Sequence, residues 1–409
     1  MKKMKKMVLL ATLIIGISLV GKNFALAGEL IDKNNWQKVK DTLIHTRILE
    51  DVKKGIYTVN VVPAKPCPVP KYFDELTQKY AGQAKLTPSG HLPNSQYHGG
   101  TPFPNIDLKD PQAAKKIMWN FAWRYQGDDF TGEFDRFCFD NQNRKVDAGV
   151  AVSIMRAVGR GIIPPTPTIP GDEDLEIYYM TIYTYPRDAS GTVTLAVRPS
   201  DPNKYDSMSR FFPSVRRVRR LPSTERYMSM PPTIFIMDDT LGYSSKMTHF
   251  NHRLLGDQKI LVPTHIPPPP AKYKMKPGYP FPLDLEWELR DSWVIEDIPR
   301  PEIYPKYAYS KRIIYIDKEH WGFNAIKAFD RKGEYWKDLS NTTFCDGRTK
   351  AGDPILAMYG NTGCSDLQTG HVTVSQAGGD LLYDYGLNRD DFGIDKLLTI
   401  SRMGRIRVK

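Results

Sequence analysis

From Phe134 onward, apolar residues recur every second position. The run Glu176-Ile177-Tyr178-Tyr179-Met180-Thr181-Ile182-Tyr183-Thr184-Tyr185 is the clearest case. Aromatic and β-branched side chains on a two-residue period fit a pleated strand and cannot gather on one face of a helix. Asp188-Ala189-Ser190-Gly191 is turn material, and Thr192–Arg198 places Val193, Leu195 and Val197 on one face, so the two runs predict a hairpin. Ser207–Phe212, the arginine strip after it and Thr233–Met237 are expected to extend the sheet. Leu254–Val262, Leu285–Ile295 and Tyr309–Asp317 predict further strands. Phe323–Phe329 and Glu334–Lys337 predict a hairpin about the turn Asp330–Gly333. Helices are few and early: Asn34–Ile56, Lys71–Tyr80, and one opened by Asp110-Pro111 that runs to about Arg124. Ile394–Ile400 reads as a short helix or strand. Regular strand–helix alternation is absent, which excludes a doubly wound α/β fold. The expected class is mainly β (α+β), one large curved antiparallel sheet with a few covering helices.

The chain opens with four lysines within Met1–Lys6, then an apolar run from Met7 to Val20 and Ala25-Leu26-Ala27. This is the layout of a secretory leader, and the run is too short for a membrane span. Residues 1–27 are therefore expected to be a signal peptide and the remainder a soluble periplasmic protein. The formal charge is +11, of which the leader's five lysines supply five, leaving about +6. That bias is too mild to imply a nucleic-acid partner. Residues 28–95 are expected to form a helical and extended segment that packs on a sheet domain, 96–409, with a proline-rich connector at 264–282. Four cysteines, Cys67, Cys138, Cys345 and Cys364, in an exported chain favour disulfides. The polar loop between Cys345 and Cys364 favours that pair and leaves Cys67 with Cys138, although three connectivities are open.

Catalytic signatures are missing: there is no Gly-x-Ser-x-Gly, no phosphate-binding glycine loop and no His-Glu-x-x-His. His249 and His252 have a spacing that could serve a metal on a helix, but lack a spaced third ligand. The expectation is a non-enzymatic protein without metal or cofactor. Arg216, Arg217, Arg219 and Arg220 repel one another unless water, an anionic ligand or fixed acids face them. Asp238 and Asp239 are the expected structural partners of Arg216 and Arg220. Arg217 and Arg219 are candidates for an anionic head group. Phe103, Met118, Trp119 and Phe121 are the candidate apolar lining, because the helix near Trp119 is apolar on more than one face.

Several segments in this order resemble the exported bacterial proteins of the DUF1329 family, often labelled outer membrane lipoprotein-sorting proteins. They are Gly100-Thr101-Pro102-Phe103-Pro104, Lys116-Ile117-Met118-Trp119-Asn120, Pro213-Ser214-Val215-Arg216-Arg217-Val218-Arg219-Arg220 and Asp238-Asp239-Thr240-Leu241-Gly242-Tyr243. Arg253-Leu254-Leu255-Gly256, Trp287-Glu288-Leu289-Arg290, Tyr309-Ser310-Lys311-Arg312 and Arg402-Met403-Gly404-Arg405 complete the set. The arginine strip and the segment after it also resemble LolA/LolB-type lipoprotein carriers. The resemblance implies a half-barrel whose apolar concave side holds acyl chains, and hence a binding or shuttle protein for a lipid or other hydrophobic small molecule. An inner- or outer-membrane transport component is the implied protein partner. An envelope assembly protein docking on such a transporter, through the proline tract, is the alternative. A hydrolase of envelope glycans or lipids would need His and carboxylate groups converging in one cleft.

Overall fold

Alternation dominates the observed structure. In this computed structural model, residues 26–267, 273, 276–348 and 354–403 are described, with side chains except at 345–360, 380, 402 and 403. Most of the leader expected at residues 1–27, most of the Pro267–Pro270 tract and the end of the Arg402–Arg405 segment lie outside these residues. Fifteen strands form one sheet: β1 (Leu30–Ile31), β2 (Val59–Val62), β3 (Asp129–Phe139), β4 (Lys145–Arg156), β5 (Leu175–Tyr185), β6 (Val193–Pro199), β7 (Ser207–Phe212), β8 (Arg217–Leu221), β9 (Phe250–Val262), β10 (Glu286–Pro299), β11 (Lys311–Asp317), β12 (Phe323–Phe329), β13 (Tyr335–Arg348), β14 (Pro354–Asp366) and β15 (Val372–Tyr383). The strands β3 to β8 follow one another as an antiparallel meander, and so do β9 to β15. The two meanders join where β15 pairs with β3, at registers such as Val374 with Phe137. The result is one large, open, curved sheet, antiparallel except where β2 runs parallel to β10.

The described α-helices are α1 (Thr46–Lys53), α2 (Lys71–Tyr80), α3 (Ala113–Ala122) and α4 (Leu397–Met403). No helix among the described residues is long and apolar enough to cross a membrane. The helix expected over Asn34–Ile56 is split into a 3-10 turn at Trp36–Val39 and α1. Val39 just before the break and Leu43 within it are both fully buried, so core contacts override local helical spacing. Gly55, at φ +73°, ends α1 as a glycine can without a Cβ penalty. The expected strand Thr233–Met237 is not formed. A lone bridge, Ser229 to Ile236, precedes a kinked 3-10 turn at Met237–Gly242.

Alternation gives β4–β7 two apolar faces, and each has its own cover. On the convex side Met180, Ile182, Val193 and Leu195 pack against Leu397 and Ile400 of α4. On the concave side Ile154, Tyr179, Ala196 and Met208 stand in register as one row across four strands.

The expected disulfide pairings do not form. Cys138 and Cys364 are free buried thiols, on β3 and β14. Burial pushes both thiols up from the ordinary cysteine range. The stretch between Cys345 and Cys364, read as a loop, is mostly strand. Cys67 is disulfide-bonded, and the side chain of Cys345 lies outside those described.

Candidate functional site

The concave face of β4–β7 is the natural place for a site, and it is mostly covered. Helix α3 and residues 222–249 lie over it. A buried ionic network holds that segment down. Arg226, 4% exposed, pairs with Asp206 at 2.7 Å and with Asp238 at 2.6 Å. Arg198 on β6 also pairs with Asp206, at 3.0 Å, and donates to the Ser244 carbonyl at 2.6 Å. Asp238 accepts from Ser245 Oγ at 2.8 Å and from Tyr307 Oη at 2.6 Å. Arg312 on β11 donates to Ser245 Oγ at 3.0 Å and pairs with Asp297 on β10 at 2.6 Å. The network thus runs from β6 through the covering segment to β10 and β11. Burial alone would raise the Asp206 carboxyl, but Arg198 and Arg226 hold it well below the usual carboxylate range. Burial likewise opposes charge on Asp297, and Arg312 lowers it.

Among the described residues, two cavities lie along the covered face and a third adjoins them beside α3 and the start of β9. The middle one has a volume of about 100 Å³ and is walled by Trp119, Phe121, Ile154, Tyr179, Ala196 and Met237. It shares Trp119 and Met247 with a second, more polar cavity of about 280 Å³ that includes His91, Lys115 and Arg300. On its other side it shares Tyr179, Met237 and Thr240 with a third, of about 220 Å³, that reaches Arg210 and Phe212. The three lie in series, separated by shared side chains. The open hollow expected from sequence is therefore subdivided: the strap at 222–249, anchored by charges, occupies space that an unadorned half-barrel would leave empty.

Glu176 lies in the wall of the middle cavity, 7% exposed. A register shift between Leu175 and Ile177 breaks strict alternation and brings it to the same wall as Ile177. Burial raises its carboxyl to about 7, against the opposing pull of Arg198 and Lys246. Lys246 is buried too and is lowered to about 8, with Nζ donating to the carbonyls of Pro199, Asp201 and Lys204.

The residues singled out by sequence separate into three groups. Trp119 and Phe121 line the middle cavity and Met118 the polar one. Phe103 lines none of them; its backbone exchanges hydrogen bonds with the Asn120 side chain and its ring lies beneath Lys116. Arg217 and Arg219 are exposed on edge strand β8, with side chains on the concave side, because Arg217 pairs with Phe212 and Arg219 with Arg210. The ion pairs expected between Arg216 or Arg220 and Asp238 or Asp239 are absent. Asp238 is taken by Arg226, and Asp239 accepts from the Ile236 amide and Tyr309 Oη. Burial raises the Asp239 carboxyl. A buried carboxylate gains more from a dry, fixed partner than from a hydrated edge arginine. His249 bonds Tyr304 Oη at 2.9 Å and is pushed down to about 4 by burial, whereas His252 faces Asp297 at 3.1 Å.

Sequence reading missed Glu176, Arg198, Asp206 and Arg226. The bulge at Glu176 left no pattern to find. Arg226 was separated in sequence from both its acids.

The fold is similar to that of a domain described as a candidate outer membrane lipoprotein-sorting protein from Vibrio parahaemolyticus, with TM-score 0.50, 19% identity, and 69% of this chain and 97% of that chain covered. A DUF1329 protein from Desulfovibrio piger gives TM-score 0.49 at 14% identity, covering 69% and 96%. A LolA superfamily protein from Nitrosomonas europaea gives 0.43 at 14%, covering 69% and 98%. At these identities the likeness is one of fold. No curated protein matches the chain. The family model described as "Protein of unknown function (DUF1329)" matches residues 30–397, and the chain belongs to that family.

Proposed function

We propose that this protein is a non-enzymatic periplasmic carrier for a lipid or another elongated apolar molecule. The observation that carries the reading is the run of three adjoining cavities, two of them on the concave face of β4–β7, with methionine and aromatic side chains among their shared walls. Each cavity alone is smaller than the roughly 300 Å³ at which small-molecule sites commonly begin. Methionine has three rotatable bonds and repacks readily. Displacing Met237 and Met247, which the cavities share, would join the three into one passage. Burial of apolar ligand surface supplies the binding energy at roughly 25 cal/mol per Å². The likeness to a lipoprotein-sorting domain supports the same reading, as does the leader-like layout of residues 1–27 for the compartment. An acceptor or donor in the inner or outer membrane follows from a carrier's role.

Native mass spectrometry and solvent extraction of protein purified from the envelope test the proposal. A co-purifying apolar molecule is expected. Ala196→Trp, which fills the middle cavity, should abolish its retention while leaving circular dichroism unchanged. Absence of any co-purified apolar molecule, together with no uptake of a fluorescent fatty acid, would overturn the reading.

A further inference from the structure

The arginine strip is left unused by everything above. β8 is the last strand of the sheet among the described residues, so one side of its backbone pairs with no described strand. Residues 214–220 are all exposed. None of Arg216, Arg217, Arg219 and Arg220 forms an ion pair with a described residue. Arg219 stands directly opposite Arg210 on β7, a like-charge pair in register that destabilises a sheet. Arg210 is compensated by Glu225 at 2.7 Å, which leaves Arg219 without an acid of its own. Val215, 49% exposed, precedes the arginines, and Val218, 40% exposed, stands between Arg217 and Arg219 in sequence but on the opposite face of β8. Charged side chains on edge strands discourage strand-to-strand aggregation, and lysine is the residue most used for it. Four arginines with two exposed valines depart from that pattern.

The location adds a second argument. Arg210 and Phe212, on the strand paired with β8, line the third cavity. Pro213, at the turn of this hairpin, and Ser401, at the end of α4, both come close to Gly191. The sequence beyond Ser401 continues with Arg402, Arg405, Arg407 and Lys409 and no acidic residue.

We propose that the β7–β8 hairpin is a docking surface for an anionic phospholipid bilayer, with the arginines at the phosphates and the two valines at the headgroup–acyl boundary. Docking in this pose sets the end of the cavity series that Arg210 and Phe212 line against the lipid. The surface itself does not depend on the carrier reading, while its use as a loading port does.

Vesicle co-sedimentation of the full purified protein tests this. Binding is expected to vesicles of 30% phosphatidylglycerol in phosphatidylethanolamine at low salt, not to pure phosphatidylcholine, with loss in high salt as the charges are screened. Charge reversal of all four arginines (R216E, R217E, R219E, R220E) should lower partitioning at least about 100-fold, since each basic residue near such a surface is worth roughly fivefold. V215S with V218S should lower it less. The positions are exposed, so circular dichroism should not change. Equal binding to both vesicle types, salt-independent binding, or binding untouched by charge reversal would overturn the proposal. Salt dependence of the unaltered protein reads the same surface should the fourfold variant misfold. Loss of apolar content with vesicle binding intact would count against the carrier reading alone.

Discussion

Glu176 is a carboxylic acid in a dry wall, and its burial makes stability depend on pH. In the folded protein it is protonated below about 7, whereas the unfolded chain ionises near its ordinary value of 4.5. Between these values the folded state holds the extra proton, so its contribution makes stability fall as pH rises through that window. Glu176→Gln should remove this slope. The variant should gain about 3 kcal/mol more at pH 8 than at pH 4, at roughly 1.4 kcal/mol per pH unit across the window. Urea unfolding at the two pH values measures it, and equal shifts at both would dismiss the assignment. Arg226 makes the opposite case. Replacing it by Ala strands Asp206 and Asp238 as buried charges, which should cost about 3–5 kcal/mol. Arg217→Ala, on the exposed edge, should stay within about 0.5 kcal/mol in the same denaturation experiment. The sequence displayed both arginines equally. Only the ring of acids around one of them separates their roles, and those acids come from positions 12 and 20 residues away.

Elements succeed or fail with their covers. Helix α4 is short, yet Leu397 is fully buried against the convex face of β4–β7 while Leu398 is 40% exposed. Leu397→Ala should cost about 3 kcal/mol and Leu398→Ala less than about 0.5 kcal/mol. Similar losses from the two variants in chemical denaturation would mean that α4 does not seal that face. The covering segment has its own weak point at Gly242, which adopts φ +81°, and a Cβ there would come within 1.9 Å of the Phe323 ring. Gly242→Ala should therefore destabilise by about 3 kcal/mol, from strained backbone and overpacking together. A thermal midpoint unchanged in this variant would show that the kink is dispensable. Strand identities, the Asp330–Gly333 hairpin and α2 were legible because each obeys a local rule of period or turn chemistry. Thr233–Met237 looked like a strand by composition, and became a strap because Asp238 and Asp239 are drawn into the interior just beyond it.

At the scale of the whole molecule, two meanders share one sheet through the β15–β3 pairing, and a charged strap spans both across the concave side. The carrier reading predicts that the strap moves when ligand enters. Hydrogen exchange at residues 226–247 should be slower by about tenfold or more in ligand-loaded protein than in delipidated protein, and identical exchange in both would contradict a moving cover. The sequence by itself determined a strand-rich chain with alternating apolar positions in its middle, a cationic strip and few helices. Those follow from near-neighbour periodicity, which each segment carries alone. It also carried the family segments, by order rather than by mechanism. Tertiary structure alone decided that the concave face is strapped rather than open, that Arg226 rather than the arginine strip meets Asp238, that a bulge turns Glu176 inward, and that two cysteines stay free. Each of these depends on which distant groups share a low-dielectric interior, where pairing and desolvation outweigh any preference that a local stretch of chain can express.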